Sequence, residues 1–206
     1  MTYSIVARDG RLLGVAAATG SIAVGSRVTW ARAGVGAVAT QAYTNPALGP
    51  RILELLESGM SAEQALRTAL AEDSDHDRRQ VLVVDAHGHA AAFTGSRAPG
   101  WAGHIVGRGY ACAGNLIVSR EVVEMMAEAY EAGRGLPLWE RLLRALEAGE
   151  AAGGDQRGLR SAALLVVCEH PIYGRRFDRM LDLRVDYSDD PLGDLRRLLR
   201  LNPRNF

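Results

Sequence analysis

Met1-Thr2-Tyr3-Ser4-Ile5-Val6-Ala7-Arg8 opens the chain and sets the reading of the rest. Tyr3, Ile5 and Ala7 share one face and Thr2, Ser4, Val6 and Arg8 the other, the period of two that marks a β-strand. Asp9-Gly10 then signals a hairpin. Residues 12–18 return as a second strand, apolar on both faces and rich in Ala and Gly, as suits the centre of a closely covered sheet. The same opening puts a hydroxyl residue directly behind Met1. Removal of Met1 turns Thr2 into an N-terminal residue that carries a nucleophile and an amine base together. A threonine hydroxyl is a weak nucleophile without an adjacent base, and an α-amine of pKa about 7.7–8.0 is partly neutral at cellular pH. The plainer reading of Thr2 is a β-prone residue starting a strand.

At 206 residues the chain fits a single domain over 1–206 with a sizeable core. A formal net charge of zero leaves no electrostatic footprint for nucleic acid or an acidic membrane, so neither partner is expected. Every basic residue other than His is Arg; the absence of Lys removes a P-loop lysine, a Schiff-base lysine and a lysine general base. Cys112 and Cys168 stand far apart in apolar contexts and read as small core residues in a reducing compartment. No uncharged run is long enough to span a bilayer and no signal-peptide pattern is present, so a cytoplasmic protein is expected.

Residues 20–25 break the pattern, and 27–30 and 35–41 read as two more strands joined through Ala33-Gly34. Asn45-Pro46 signals a helix, Asn as cap and Pro inside the first turn, with Ile52, Leu53, Leu55 and Leu56 as its stripe and Gly59 as its end. Ser61 and Gln64 form a capping box for a second helix reaching about residue 72. A charged loop over 73–79 leads to a hairpin of 81–84 and 90–94 around His87-Gly88, then to a short strand within 103–112. Ser119 caps a helix bearing Val122, Val123, Met126 and Tyr130, closed by Gly133 and Gly135; Pro137 opens another with Trp139, Leu142, Leu143 and Leu146. Residues 149–158 read as a loop rich in Gly and Ala. An apolar strand over 162–168 pairs with 179–186, and Asp190-Pro191 starts a last amphipathic helix. Helices arriving in pairs argue against alternating βαβ units. The expected fold is α+β: two mainly antiparallel sheets packed together, helix pairs outside, a four-layer αββα sandwich.

Three places are candidates for chemistry. Thr2 is the first. Asn115, between a strand and a helix start with flexible Gly114 before it, is suited to donate to an oxyanion or orient a substrate amide; the alternative is an Asn satisfying loop backbone. In 153–161, Asp155 and Arg157 straddle a turn and Ser161 opens a buried strand, so Asp155 and Ser161 could fix an amine's protonation and hydrogen bonding. The alternative there is a helix C-cap with a solvated ion pair. Three motifs fail. Gly34-Val35-Gly36-Ala37-Val38-Ala39 matches a dinucleotide fingerprint but starts no helix. Residues 73–77 resemble a calcium loop, yet Arg78 and Val84 occupy its Gly and Glu positions. Asp85, His87 and His89 could suggest a metal, but two His astride one Gly read as a turn, and no third His lies at zinc-like spacing, although folding could bring His104 or His170 close. No metal and no cofactor are expected. The arginines at 175–176 and 196–197 read as a solvated loop and helix face, and Trp101 and Tyr173 as loop residues at an interface or over the core.

The opening Thr2-Tyr3-Ser4-Ile5-Val6-Ala7-Arg8-Asp9 resembles the start of the family catalogued as domain of unknown function 1028. So do residues 30–42, the Asn45-Pro46 helix start, Arg79-Gln80 with Val83-Val84-Asp85, Gly114-Asn115, Gly153-Gly154-Asp155 with Arg157-Gly158 and Ser161-Ala162, and residues 182–186. That family is similar to the N-terminal nucleophile hydrolases, whose fold is the four-layer αββα sandwich. The resemblance implies Thr2 as nucleophile position. Some relatives carry a C-terminal peptidoglycan-binding-like domain, an extension not expected here after the last helix. The lysine of the proteasome-type branch has no counterpart, and an arginine at 27 or 32 supplies charge but no base.

The sequence thus points to an amidohydrolase on a small amide, lactam or peptide bond. Thr2 attacks, its amine relays the proton, Asn115 assists the oxyanion, and Asp155 and Ser161 orient the amine. Arg32 or Arg157 would hold a substrate carboxylate, with Gln41 and Asn45 also in the cleft. A homodimer or larger homo-oligomer is expected. The competing class is a non-catalytic αββα binding or assembly module that retains Met1; a metal-dependent hydrolase using His87 or His89 is a third.

Overall fold

The structure, a computed structural model, describes residues 2–155, 157–169 and 178–202. β1 (Thr2–Asp9) turns at Gly10, whose positive φ of 58° suits a residue without Cβ, into β2 (Leu12–Thr19). After one 3-10 turn at Val24–Ser26 come β3 (Thr29–Arg32) and β4 (Gly36–Ala42), then α1 (Leu48–Glu57) and α2 (Ala62–Ala71). β5 (Arg79–Asp85), β6 (Ala90–Thr94), β7 (Trp101–Gly107) and β8 (Tyr110–Ile117) precede α3 (Glu121–Ala132) and α4 (Leu138–Ala151). β9 (Ser161–Val167), β10 (Arg179–Val185) and α5 (Pro191–Leu201) complete the described chain.

The strands form two antiparallel sheets, a six-stranded one in the order β10-β9-β2-β1-β8-β7 and a four-stranded one in the order β3-β4-β5-β6. Strand alternation gives each sheet two apolar faces. Tyr3, Ile5 and Ala7 pack with Val122, Met126, Leu142 and Leu146 of α3 and α4, and with Leu195 and Leu199 of α5. Val6, Leu13, Val15 and Ala17 meet Ala37, Ala39, Leu82 and Val84 between the sheets. Val38, Val81 and Val83 face Ile52, Leu56, Leu66 and Ala69 of α1 and α2. These three cores stack as the expected αββα sandwich. Small residues let the layers approach: a Cβ on Gly14 would lie 2.6 Å from Leu142 Cδ1. Tight turns at 10–11, 33–35, 86–89 and 108–109 gather at one end of the sheets; the longer connections, including 20–28, 43–47, 95–100, 118–120 and 152–160, gather at the end where β1 begins.

The structure corrects several local expectations. Residues 103–112 span a hairpin, β7 and the start of β8, because Gly107 to Tyr110 turns the chain. Trp101 begins β7, and Asn115 sits inside β8 with no loop around it. β3 starts at Thr29 because the 3-10 turn occupies the residues before it. α1 starts at Leu48 with Ala47 as N-cap; Asn45 caps a turn ahead of the helix by accepting from Ala47 N at 3.1 Å. The N-cap of α3 is Arg120, without a side-chain cap, and α4 continues through Gly149 to Ala151 since its buried face extends that far. Arg196 is no solvated helix residue: it ties α5 to Glu140 and Glu147 of α4 at 2.7 and 2.6 Å. The Ser61/Gln64 capping box forms as expected. His170, Tyr173 and Arg175-Arg176 lie outside the described residues. Among the described residues no helix is long and apolar enough to cross a membrane.

Leu142 is fully buried against β1 and β2. Leu142→Ala is expected to cost about 2–5 kcal/mol and Ser61→Ala about 1 kcal/mol, both read as lower urea midpoints at unchanged slope; a near-neutral Leu142→Ala would contradict this core.

Candidate active site

Between the sheets, inward-facing side chains grade from apolar to polar toward the end where β1 begins. The series run Val6, Ser4, Thr2; Val15, Ala17, Thr19; Ala37, Ala39, Gln41; Val84, Leu82, Gln80; Ala111, Ala113, Asn115; and Leu165, Ala163, Ser161. All seven polar residues at that end are buried. Burial of so many polar groups is tolerated because they bond to one another.

Gln80 is the hub. Its Oε1 accepts from Gln41 Nε2 at 2.7 Å and Asn115 Nδ2 at 3.0 Å, and its Nε2 faces Thr94 Oγ1, Gly114 O and Gly103 O at 2.9, 2.9 and 3.1 Å. Gln41 and Asn115 both donate to the carbonyl oxygen of Thr2, at 3.3 and 3.2 Å. Gln41 Oε1 accepts from Ser4 Oγ at 2.5 Å. Thr2, 7% exposed and paired with Asn115 across β1 and β8, donates its hydroxyl to Thr19 Oγ1 at 3.2 Å. The nucleophile candidate is thus held through both its carbonyl and its hydroxyl. The network reaches the surface where Thr94 Oγ1 meets His104 Nδ1 at 2.8 Å, and burial lowers the pKa of His104.

Asp155 closes the neighbouring side. It bridges to Ile117 beyond the end of β8, and its side chain is fully buried, so the ion pair with Arg157 at 3.5 Å is solvated only on the arginine side. The carboxylate accepts from Gly20 N at 2.5 Å and Arg157 N at 2.8 Å. Ser161 Oγ donates to Ser21 O at 2.7 Å and accepts from Val24 N at 3.1 Å, which pins the 20–28 loop over Thr19. On the opposite face of β1, Tyr3 donates to Glu150 at 2.9 Å; burial raises the Glu150 carboxyl, and the charge of Asp155 adds to it.

Thr2, Asn115, Asp155, Ser161, Gln41 and Arg157 therefore gather at one end of the sandwich. Arg32 does not: it pairs with Gly36 at the other end of β4 and bonds Glu57 of α1 at 2.5 Å. The five steps from Gly36 to Gln41 span about 17 Å. Asn45 lies at the Thr2 end but is held by Asp73 at 2.9 Å, and Arg79 locks the same carboxylate. Asp85 binds the backbone N–H groups of His87 and His89 and the His89 ring in the tight β5–β6 turn, at the far end from Thr2. Among the described residues no cluster of three or more His, Cys, Asp or Glu is arranged for a metal. The structure adds Gln80, Ser4, Thr19, Thr94 and His104 to the site. A polar residue at an inward strand position was the signal for Ser4, Gln80 and Thr19; nothing in the sequence marks His104. A cavity of about 660 Å³ between β7, β8 and α3, lined by Glu121, Glu124, Glu128 and Glu131, lies away from Thr2 and offers no comparable nucleophile.

Gly20 has no space for a side chain: a Cβ would stand 2.7 Å from both Asp155 Oδ2 and Gly158 O. Gly20→Ala is expected to displace the 153–161 loop and lower stability by roughly 1–3 kcal/mol, read by chemical denaturation. The hydrogen-bonded Arg79 guanidinium depresses the Asp73 carboxyl to about 2, below its ordinary value of 3.8, with Asn45 contributing. A lowered carboxylate pKa contributes stability above the unfolded value that is lost as pH falls through the folded one. Denaturation between pH 5 and 2 should show that acid loss in the wild type and a smaller one in Asp73→Asn.

The layer order is the one implied by the resemblance to the N-terminal nucleophile hydrolases. A family model described as "Family of unknown function (DUF1028)" matches residues 2–195. The crystal structure of protein SPO2555 from Silicibacter pomeroyi, which carries the same family model, is 34% identical, with a TM-score of 0.88 over 98% of this chain and 88% of that one. Anbu (ancestral beta-subunit) from Yersinia bercovieri is 13% identical at a TM-score of 0.44, covering 97% of this chain and 93% of that one. BPH of Thiobacillus denitrificans is 17% identical at 0.40, covering 83% and 100%. No curated protein matches the sequence. With its model matched almost end to end and a 34%-identical relative of the same architecture, the chain belongs to the DUF1028 family of unknown function.

Proposed function

We propose that this protein is an amide-bond hydrolase of the N-terminal nucleophile type, with Thr2 as nucleophile once Met1 is removed. The observation that carries the reading is the convergence on Thr2: a hydroxyl bonded to Thr19, a carbonyl clamped by Gln41 and Asn115, and a buried Asp155 carboxylate on the next loop. Thr2 Oγ attacks the carbonyl carbon of a small amide, lactam or peptide bond, and the neutral α-amine takes the hydroxyl proton. The same proton passes to the departing nitrogen as the C–N bond breaks, leaving an ester on Thr2. Water, deprotonated by the amine, then releases the acid and restores the hydroxyl. Arg157, half exposed beside Asp155, is available for a carboxylate on the substrate. Ile22, Val118 and Tyr43 are exposed on the connections after β2, β8 and β4, the strands around Thr2, which favours a substrate with an apolar portion.

The alternative is an αββα module that binds without catalysis, in which the buried polar end of the sandwich only joins the sheets. A β-lactone probe separates the two. Protein lacking Met1 is expected to gain the probe mass on Thr2. Thr2→Ser should keep acylation and turnover on small amides within about tenfold, whereas Thr2→Ala should lose roughly 10⁴-fold or more. Intact mass and rate measurements decide; full activity in Thr2→Ala would end the proposal.

A further inference from the structure

One buried polar atom at this end of the sandwich is left over. Among the described residues, Asn115 Oδ1 has no hydrogen-bond partner although Asn115 is 0% exposed. Its orientation is not a free choice. Asn115 Nδ2 faces two acceptors, Thr2 O and Gln80 Oε1, so a flipped amide would set oxygen against oxygen twice. Gln80 is fixed in turn by the carbonyls of Gly103 and Gly114, and Gln41 by those of Thr2 and Ala113. Backbone oxygens therefore dictate how all three carboxamides point. Both N–H groups of Asn115 are engaged, and what it has left to offer is an acceptor.

We infer that Asn115 is a positioning residue for the freed α-amine of Thr2, taking one of its N–H groups on Oδ1; this rests on the reading of Thr2 as the N-terminal residue. Asn115 and Thr2 face each other across β1 and β8, and the Asn115 amide already touches the Thr2 carbonyl. Removal of Met1 creates new donors on that same residue, an ammonium having three N–H groups where a peptide nitrogen has one. A neutral amine tied through one N–H has its lone pair turned away from Asn115, which leaves it free to take the Thr2 hydroxyl proton. Gln80 acts one step further out, by holding the Asn115 amide. Among the described residues, the other charged or hydroxylic groups near Thr2 include Ser4 on β1, Thr19 on β2, Ser161 on β9, and Asp155 with Arg157 on the 153–161 loop, with Glu150 of α4 behind Tyr3 and with Thr94 and His104 beyond Gln80. All of them are common to the wild type and an Asn115 variant.

The test uses the full chain with Thr2 freed by cleavage of an N-terminal ubiquitin fusion, and the same chain cleaved to keep Met1. Because the sequence has no Lys, the α-amine is the only primary amine. Its acetylation by acetic anhydride as a function of pH, followed by mass analysis of the N-terminal peptide after hydroxylamine has removed O- and S-acetyl groups, therefore reads one group. An acceptor that favours the ammonium raises its folded pKa. Asn115→Leu is expected to lower the titration midpoint by roughly half to one unit; an unchanged midpoint overturns the inference. A second measurement needs no variant. The contact stabilises the Met1-free wild type fully below the unfolded amine pKa and is lost as pH rises through the folded one. The Met1-free form should melt about 2–4 °C above the Met1-bearing form near pH 6, with the gap closing near pH 9; equal melting at both pH values overturns the inference. Hydrolysis enters neither readout. A protein inert to the β-lactone but with an Asn115-dependent midpoint loses the proposed reaction and keeps this contact. An acylated protein with an Asn115-independent midpoint does the reverse.

Discussion

A carboxamide buried between two sheets loses its water, and each N–H group or oxygen left without a partner there costs free energy. Gln80 avoids that cost with partners on β4, β6, β7 and β8, which makes it a cross-link between the sheets as well as a hydrogen-bond hub. Away from it the inter-sheet layer mixes Val and Leu with Ala37, Ala39, Ala111, Ala113 and Ala163, side chains small enough to let the backbones approach. Close approach along the sheets and directional bonding at one end are complementary. The small residues bring the amides within reach, and the amides fix the strand ends that a wholly apolar layer would leave free to slide. The position of Thr2 depends on this more than on anything in its own strand.

The layered fold was legible because it rests on patterns with a fixed period. The alternation over 2–8, the helix stripes of α1 to α5 and the capping box at Ser61 each follow from which side chains share a face. The errors came where a turn carries little composition of its own. Gly107 and Gly109 bracket the β7–β8 turn among residues that also fit one longer strand, so Asn115 was expected in a loop when it lies inside a strand. That misplacement affects chemistry. An asparagine in a loop offers its N–H groups to a ligand, whereas inside β8 both are engaged by Thr2 and Gln80.

The candidate site was partly legible for a related reason. Thr2, Asp155, Ser161, Asn115 and Gln41 could be found from residue type and local context, and the fold brings them to one end. Distance along a strand cannot be read from charge, and Arg32 lies away from Thr2 because its hairpin turns at the far end of the sheet. His104 reaches the network only through Thr94 and Gln80, three residues from three strands whose neighbourhood exists only after folding.

The division of the sandwich into an end of tight turns and an end of longer connections has an engineering consequence. The turn at Gly10 has open space around it, and it stands at the opposite end of β1 from Thr2. Exposed tips of this kind accept inserted sequence with little effect on a packed core. An affinity tag or fluorophore-bearing peptide placed there would leave both chain termini native. That matters for the reaction proposed above, which needs a free α-amine on Thr2, since a conventional N-terminal tag would mask that group.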